Sequence, residues 1–475
     1  MERLSHEHGE ALRAAGATRA AVTKFARALD GLRLAVRPTG KSLAADSRKA
    51  RAVYAAATGI LAAWPAKLRR DAAQAAGAGI VHGLLRAVRN RFARAYVGPI
   101  YDRVTDGRRR FLRADDLVYA VAELCPGLCP SRDAVVAERG LLLAEKEGVE
   151  IAQGDFLSHV FAHEAAGDHL LHAMLRPLPQ SQELLARFRR EGRVDLGTAH
   201  VERRGALGCV SFNNGRYLNA EDDTTLGPLE TAVDLALLDP DIQVGLLRGN
   251  PVSHPKHRGR RVFSSGLNLT HAYHGKLSLL FFAIRDLGFV GKLYRGLAGD
   301  EYDPDGPEAT QEKPWIAAVE GFAIGGGCQL LLVVDYVIAE AGSYFTLPAR
   351  KEGIVPGAAP LRLARFVGER TAREGILFDK TFTAESPEGR SIANEVVPGG
   401  QMDEAIARAA AAVTGGGAVS AGANRKAIRL GHEPRDLFRQ YMALYCREQT
   451  TCHFISPSLI QNLERNWRAG DRPRE

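Results

Sequence analysis

A chain of 475 residues with 45% hydrophobic and 25% charged positions can bury two or more sizeable cores, which excludes disorder, collagen and coiled coil as whole-chain descriptions. Sixty-three basic against 55 acidic side chains leave a formal charge of +8, so anions are attracted at low salt, and a phosphorylated small molecule fits as well as nucleic acid or an anionic membrane. The six scattered cysteines, at 125, 129, 209, 328, 446 and 452, are too few for a disulfide scaffold and read as free thiols.

The first residues, Met1-Glu2-Arg3-Leu4-Ser5, are charged and lack the apolar segment of a secretory signal. No run of about 18 apolar residues follows, because residues 316–338 are broken by Glu320, Gln329 and Asp335. A cytoplasmic protein with no membrane span is expected. Over residues 10–36 and 47–96, alanine, leucine and arginine dominate and apolar positions recur at helical spacing. Arg89, Arg91, Arg94 and Arg108 to Arg110 lack aromatic interleaving and read as a solvated helical face, with no nucleic-acid partner.

Cys125-Pro-Gly-Leu-Cys129 lacks the second pair a structural zinc needs. His159, His163, His169 and His172, with Glu164, have metal-like spacings but not the order of a zinc helix. They are expected on an interdomain or subunit surface, with no metal bound. Pro177 and Pro179 stop the helical pattern and place a boundary near 180–198. The expected organisation is a helical N-terminal domain over 1–190, an α/β core over 198–400 and a helical C-terminal region over 401–475.

Beyond residue 198, strand and helix alternate. Residues 198–213 read as two strands joined at Arg204-Gly205, 225–238 as a helix and 244–248 as a buried strand. An apolar strand over 315–319, a helix over 325–334 and a strand over 336–345 follow, then helices from 402 with a flexible break at 415–417.

Two glycine turns, each after a strand candidate, carry the chemistry: Ser264-Ser265-Gly266-Leu267-Asn268-Leu269, and Gly325-Gly326-Gly327 opening a helix. Glycine admits tight backbone angles and close approach of a substrate, and a helix start adds the positive end of its dipole. Together they suggest an oxyanion hole.

The pair resembles the crotonase superfamily of enoyl-CoA hydratases and isomerases, over roughly residues 198–400. The likeness rests on EKPWIAAVEGFAIGGGCQ, the strand after Asp335, the Gly353-Ile-Val-Pro356-Gly357 turn and the Val367-Gly-Glu-Arg helix entry. It implies a crotonase core and a CoA thioester substrate whose carbonyl is held by the amides of Leu267 and Gly326. Such donors stabilise the enolate formed when the neighbouring carbon loses a proton. The two glutamates of a hydratase are absent: Gln329 and Ala349 stand at those positions and cannot exchange a proton near neutral pH.

A narrower resemblance covers most of the chain. The N-terminal helices, Gly249-Asn-Pro-Val-Ser-His254, VFSSGLNLTHAYHGK, Arg285-Asp-Leu-Gly-Phe-Val and FTLPARKEGIVPGA are similar to the 3,5-dihydroxyphenylacetyl-CoA dioxygenase family of glycopeptide-antibiotic biosynthesis. That resemblance implies an oxidoreductase without metal or organic cofactor, with O2 and the CoA thioester as substrates and the arylglyoxylate and free CoA as products. It also implies a homotrimer or a dimer of trimers. By the same resemblance Glu221, Arg285 and Gln329 hold the dihydroxyphenyl ring, and His254 contacts substrate. Ser265, Gly266, Asn268 and Leu269 complete the substrate wall, and Leu269, Ala349 and Ile354 form a dry pocket for oxygen. The basic loop from His254 through Lys256 and Arg258 to Arg261 is a candidate grip for the CoA phosphates. A CoA-ester hydrolase or isomerase, or a silent scaffold, are the alternative readings.

Overall fold

Trp315, Ala317 and Val319 face one side of their strand and Ile316 and Ala318 the other, and all five are buried. A strand apolar on both faces belongs inside a sheet covered on both sides. The computed structural model describes residues 4–36, 38–306, 308–415 and 418–468. Its strands are β1 (Arg193–Asp195), β2 (Ala199–Arg204), β3 (Leu207–Phe212), β4 (Val244–Gly249), β5 (Leu297–Ala298), β6 (Thr310–Gln311), β7 (Trp315–Val319), β8 (Phe322–Ile324), β9 (Tyr336–Glu340), β10 (Tyr344–Thr346), β11 (Phe382–Thr383) and β12 (Glu395–Val397).

Seven strands form one sheet in the order β1-β2-β3-β4-β7-β9-β12, antiparallel across β1, β2 and β3 and parallel from β3 to β12. The helix Asp223–Leu238 supplies Leu229, Ala232 and Val233 to the larger core on one face. Met402, Ala405 and Ile406 of the helix Met402–Thr414 close the other. A second sheet, β11-β10-β8, has β8 and β10 parallel, and β5 pairs with β6.

Contacts divide the chain into two compact units, one of residues 1–170, 274–280 and 442–454, the other of residues 171–273, 281–441 and 455–475. The expected cut into three consecutive stretches therefore differs from the observed one, in which two short return segments join the N-terminal helices. The reason is packing. A Cβ on Gly154 would fall 2.0 Å from Thr450 Oγ1 and 2.9 Å from Leu279 Cδ2, and the Leu279 amide donates to Glu150 at 3.0 Å. The first unit is helical, built on the 33-residue helix Ala72–Val104, which Asp71 and Gln74 start with reciprocal side-chain caps.

The hairpin at Arg204-Gly205 and the helix and strand after it stand where the pattern placed them. The strand expected over 336–345 is instead two, because Gly342 at φ +83° turns the chain from the large sheet into the small one. The helix expected over 325–334 spans Gly326–Leu331, with Gly325 outside it at φ +52°. The N-terminal helical stretches are also interrupted, at Gly16 and around Trp64-Pro65. The expected break at 415–417 lies, for residues 416 and 417, outside the described residues.

Of the four histidines, His169 is buried between Tyr101 and the Arg108 carbonyl, His159 meets Asn90, His163 lines a cavity and His172 meets the Gly299 carbonyl. The arginines at 108–110 are not a simple solvated face, since Arg108 and Arg110 line a cavity. Among the described residues the cysteines form no disulfide, and no helix is long and apolar enough to cross a membrane.

Candidate active site

The first turn is stitched to the second. Ser264 pairs with Ala323 of β8 in a parallel bridge, through Ile324 N to Ser264 O at 3.0 Å and Ser264 N to Phe322 O at 3.4 Å. The chain then swings at Gly266, φ +79°, where a Cβ would fall 2.5 Å from the Ile324 carbonyl and 2.9 Å from the Gly326 amide nitrogen. Only glycine lets the two turns touch. Leu267 and Gly326 are both half-buried, and neither amide donates to a protein acceptor among the described residues. Glu221 N donates to Gly266 O at 2.7 Å and Asn268 N to Glu221 O at 2.8 Å, clamping Leu267 from either side while its own N–H stays free.

Glu221, Arg285 and Gln329 come from three separate elements to one point. Arg285 Nε donates to Glu221 Oε2 at 2.5 Å and Nη2 to Glu221 Oε1 at 2.9 Å, a bidentate pair with both side chains at or below 5% exposure. Arg285 Nη2 also donates to the Gly326 carbonyl at 2.9 Å, and Nη1 to Gln329 Oε1 at 2.8 Å. The guanidinium thus fixes the second turn from behind, and with Gln329 Oε1 accepting, its Nε2 is the end left to donate. A Cβ on Gly326 would collide with Glu221 Oε1 at 2.6 Å, so glycine is required here by space as well.

Asp286 is not singled out by sequence, although it adjoins Arg285. It is buried, accepts from Arg285 Nη1 at 3.2 Å, and its Oδ2 has no hydrogen-bond partner among the described residues. Burial pushes its carboxyl above the usual carboxylate range, with Arg285 and Arg362 opposing. Gly357, φ +47°, makes room for it: a Cβ there would lie 2.4 Å from Gln329 Oε1 and 2.7 Å from Asp286 Oδ2. Tyr441 donates to the Gly357 carbonyl, and burial raises its own phenol. The pairing of a buried carboxylate with a distant glycine leaves no periodic signal.

The remaining expected site residues divide. Asn268 Nδ2 donates to Asp222 at 2.8 Å and its Oδ1 accepts from the His271 amide, so it presents backbone to the site. Burial raises Asp222, but His271, Thr224 and Asn268 outweigh it and hold the carboxyl below its ordinary range. Ser265 Oγ donates to the Tyr217 carbonyl at 3.0 Å. Leu269 opens the helix Leu269–Tyr273 and is half-buried. Ala349 and Ile354 are joined by a 2.9 Å bond from Ile354 N to Ala349 O. His254 caps the short helix Pro255–His257 in an exposed basic loop, anchored by its amide on the Gly215 carbonyl at 3.2 Å and by Val252 and Val262 against Phe322.

Residues 308–442 match the family described as enoyl-CoA hydratase/isomerase. The (3,5-dihydroxyphenyl)acetyl-CoA 1,2-dioxygenase of Amycolatopsis orientalis is 46% identical over 386 residues, covering 81% of this chain and 88% of that protein. The chain belongs to the crotonase superfamily. Within that superfamily it is 29% identical to a probable enoyl-CoA hydratase of Mycobacterium bovis over 231 residues, 48% of this chain and 79% of the relative. An enoyl-CoA hydratase/isomerase structure from Xanthobacter autotrophicus aligns with a TM-score of 0.47 and 21% identity, over 59% of this chain and 100% of that one. The two glycine turns meet at Gly266 and Gly326.

Proposed function

We propose that the protein is a dioxygenase that works without metal or organic cofactor, converting 3,5-dihydroxyphenylacetyl-CoA and O2 to 3,5-dihydroxyphenylglyoxylate and free CoA. One observation carries the reading: the Leu267 and Gly326 amides are free to bind a thioester oxygen, while Gln329, which cannot exchange a proton near neutral pH, is held by Arg285 behind them. The 46% identity to a dioxygenase of that name supports the same substrate.

The chemistry follows from the parts. Two amides aimed at the thioester oxygen stabilise negative charge there, so a benzylic proton next to the carbonyl is lost to give an enolate. The carbon of that enolate forms a bond to O2. The distal oxygen then attacks the thioester carbonyl and CoA leaves as thiolate; loss of the second benzylic proton accompanies O–O cleavage to ketone and carboxylate. Both oxygen atoms enter the product, and the two benzylic protons are released, one of them to the thiolate. Gln329 Nε2 and the Glu221–Arg285 pair orient the ring hydroxyls, and Ala349 with Ile354 and Leu269 keeps the oxygen side apolar. His254 and its basic loop hold the CoA phosphates, and the active assembly is a trimer or a dimer of trimers in the cytoplasm.

Oxygen uptake by chelator-treated protein given 3,5-dihydroxyphenylacetyl-CoA, with thiol release followed in the same sample, tests this. Coupled one-to-one uptake is expected. Thiol release without oxygen uptake makes the protein a hydrolase, and neither signal overturns the reading.

A further inference from the structure

The helical unit holds a cavity of about 1400 Å3 with arginines in its wall. Arg48 and Arg51 stand three residues apart on the helix Gly40–Ala62, a spacing that sets side chains on one face. Arg103 lies in the last turn of Ala72–Val104, and Arg108 and Arg110 in the loop after it.

That loop is strained. Asp106, Gly107 and Arg108 take φ of +52°, +65° and +68° in succession, a region costly for residues with a side chain. A dense set of bonds holds them. Thr105 Oγ1 donates to Tyr101 O at 2.7 Å and accepts from Arg108 N at 3.2 Å, and Gly107 N donates to Asp102 O at 2.7 Å. Buried His169 donates from Nε2 to the Arg108 carbonyl at 3.0 Å while its Nδ1 accepts from Tyr101 at 2.7 Å, under the stacked ring of Phe111. The outcome is that Arg108 and Arg110 line the cavity with Asp102 and Asp106, while Arg109, between them, does not line it and pairs with Asp106.

Charge is unbalanced at the wall. Asp102 is taken by Arg108 at 3.0 Å and Asp106 by Arg109 at 2.9 Å. Among the described residues Arg48, Arg51 and Arg103 form no ion pair with a carboxylate, and Arg110 acts only on Asp106, which Arg109 already holds. Guanidinium groups gathered round one concavity repel one another, and a bound polyanion removes that cost. Gly40, which begins its helix, also lines the cavity and adds the positive end of the dipole. His163 accepts from the Ala166 amide through Nδ1 at 3.4 Å, so Nε2 is the donor, set against Gly98 where a Cβ would fall 2.9 Å away.

We propose that this cavity binds a small molecule carrying at least two phosphate groups, a free nucleoside diphosphate, with Arg48, Arg51, Arg103 and Arg110 as its grip. Calorimetric titration of the full chain with ADP and with inorganic pyrophosphate tests it. Saturable binding of both is expected, weakened about tenfold or more by Arg103→Gln with Arg110→Gln and again by Arg48→Gln with Arg51→Gln. These side chains are exposed, so the unliganded melting temperature should stay that of the parent. If coenzyme A leaves ADP in place, the phosphates belong to a free nucleotide; if coenzyme A displaces ADP and the paired variants raise the KM for the acyl-CoA, the proposal is overturned. Absence of ADP and pyrophosphate binding at millimolar concentration, or binding that neither pair alters, overturns the proposal. So does a variant that changes only the mass of the assembly in solution, which would make the cavity a seat for a second copy.

Discussion

Arg285 and the arginines of the helical cavity show the same side chain in two conditions. Arg285 is enclosed and every part of its fork is occupied, by Glu221, Gln329, Asp286 and the Gly326 carbonyl. Arg48, Arg51, Arg103 and Arg110 are exposed and line a concavity whose aspartates, Asp102 and Asp106, are already paired with Arg108 and Arg109. A saturated guanidinium fixes its neighbours, and Arg285 so holds Glu221, Gln329 and the Gly326 carbonyl of the second turn. An unsaturated one holds nothing and can accept an anion.

Removing the saturated member should do the most damage. Arg285→Met leaves Glu221 charged and buried with no partner, and about 3–5 kcal/mol of stability should be lost in a denaturant melt, with activity gone. A variant as stable as the parent would show that Glu221 does not depend on Arg285. Gly326→Ala forces a methyl against Glu221 Oε1 and moves the second turn; kcat should fall about 100- to 1000-fold, with circular dichroism unchanged.

A second saturated cluster gives a pH test. Burial raises Glu433, but Arg362, Arg295 and Arg365 hold its carboxyl down to about 2, against 4.5 unperturbed. The folded-state value is the lower one. Its contribution, on the order of 3 kcal/mol, is therefore complete above about pH 4.5 and lost as pH falls toward 2. Melting temperatures across that window should flatten in Glu433→Gln, though that variant begins from a lower value.

Smaller effects sharpen the contrast. Asp286→Asn removes a buried charge whose Oδ2 has no partner among the described residues, so stability should rise or hold within about 1 kcal/mol while turnover falls. Arg109→Gln, on the arginine that Asp106 occupies, should alter ADP binding by no more than about twofold by calorimetry.

Features confined to a few adjacent residues are legible in the sequence. The strand Trp315–Val319 is a continuous apolar run, and the hairpin Ala199–Phe212 turns on one glycine. Motif picks out the two glycine turns, and the family resemblance the trio Glu221, Arg285 and Gln329, whose side chains lie within hydrogen-bond reach of one another through Arg285. What escapes depends on distant partners. Asp286 matters because Gly357 makes room for it, and nothing near 286 announces that. Arg108 and Arg110 read as part of a solvated run; a reversal at Asp106-Gly107 sorts them from Arg109, and helical periodicity cannot foresee it.

The chain leaves the α/β unit at 273, supplies seven residues to the helical one, and returns at 281 ahead of Arg285. No single cut therefore yields the catalytic half alone. A fragment beginning at 171 would keep Leu277, Leu279, Leu280, Met442 and Tyr445, all buried in the whole chain, and carry them without the helices they pack with. Such a fragment would expose an apolar surface and aggregate. The N-terminal helices are in this sense the solubility partner of the enzyme half, and domain shuffling could acquire or discard them only together with two internal segments.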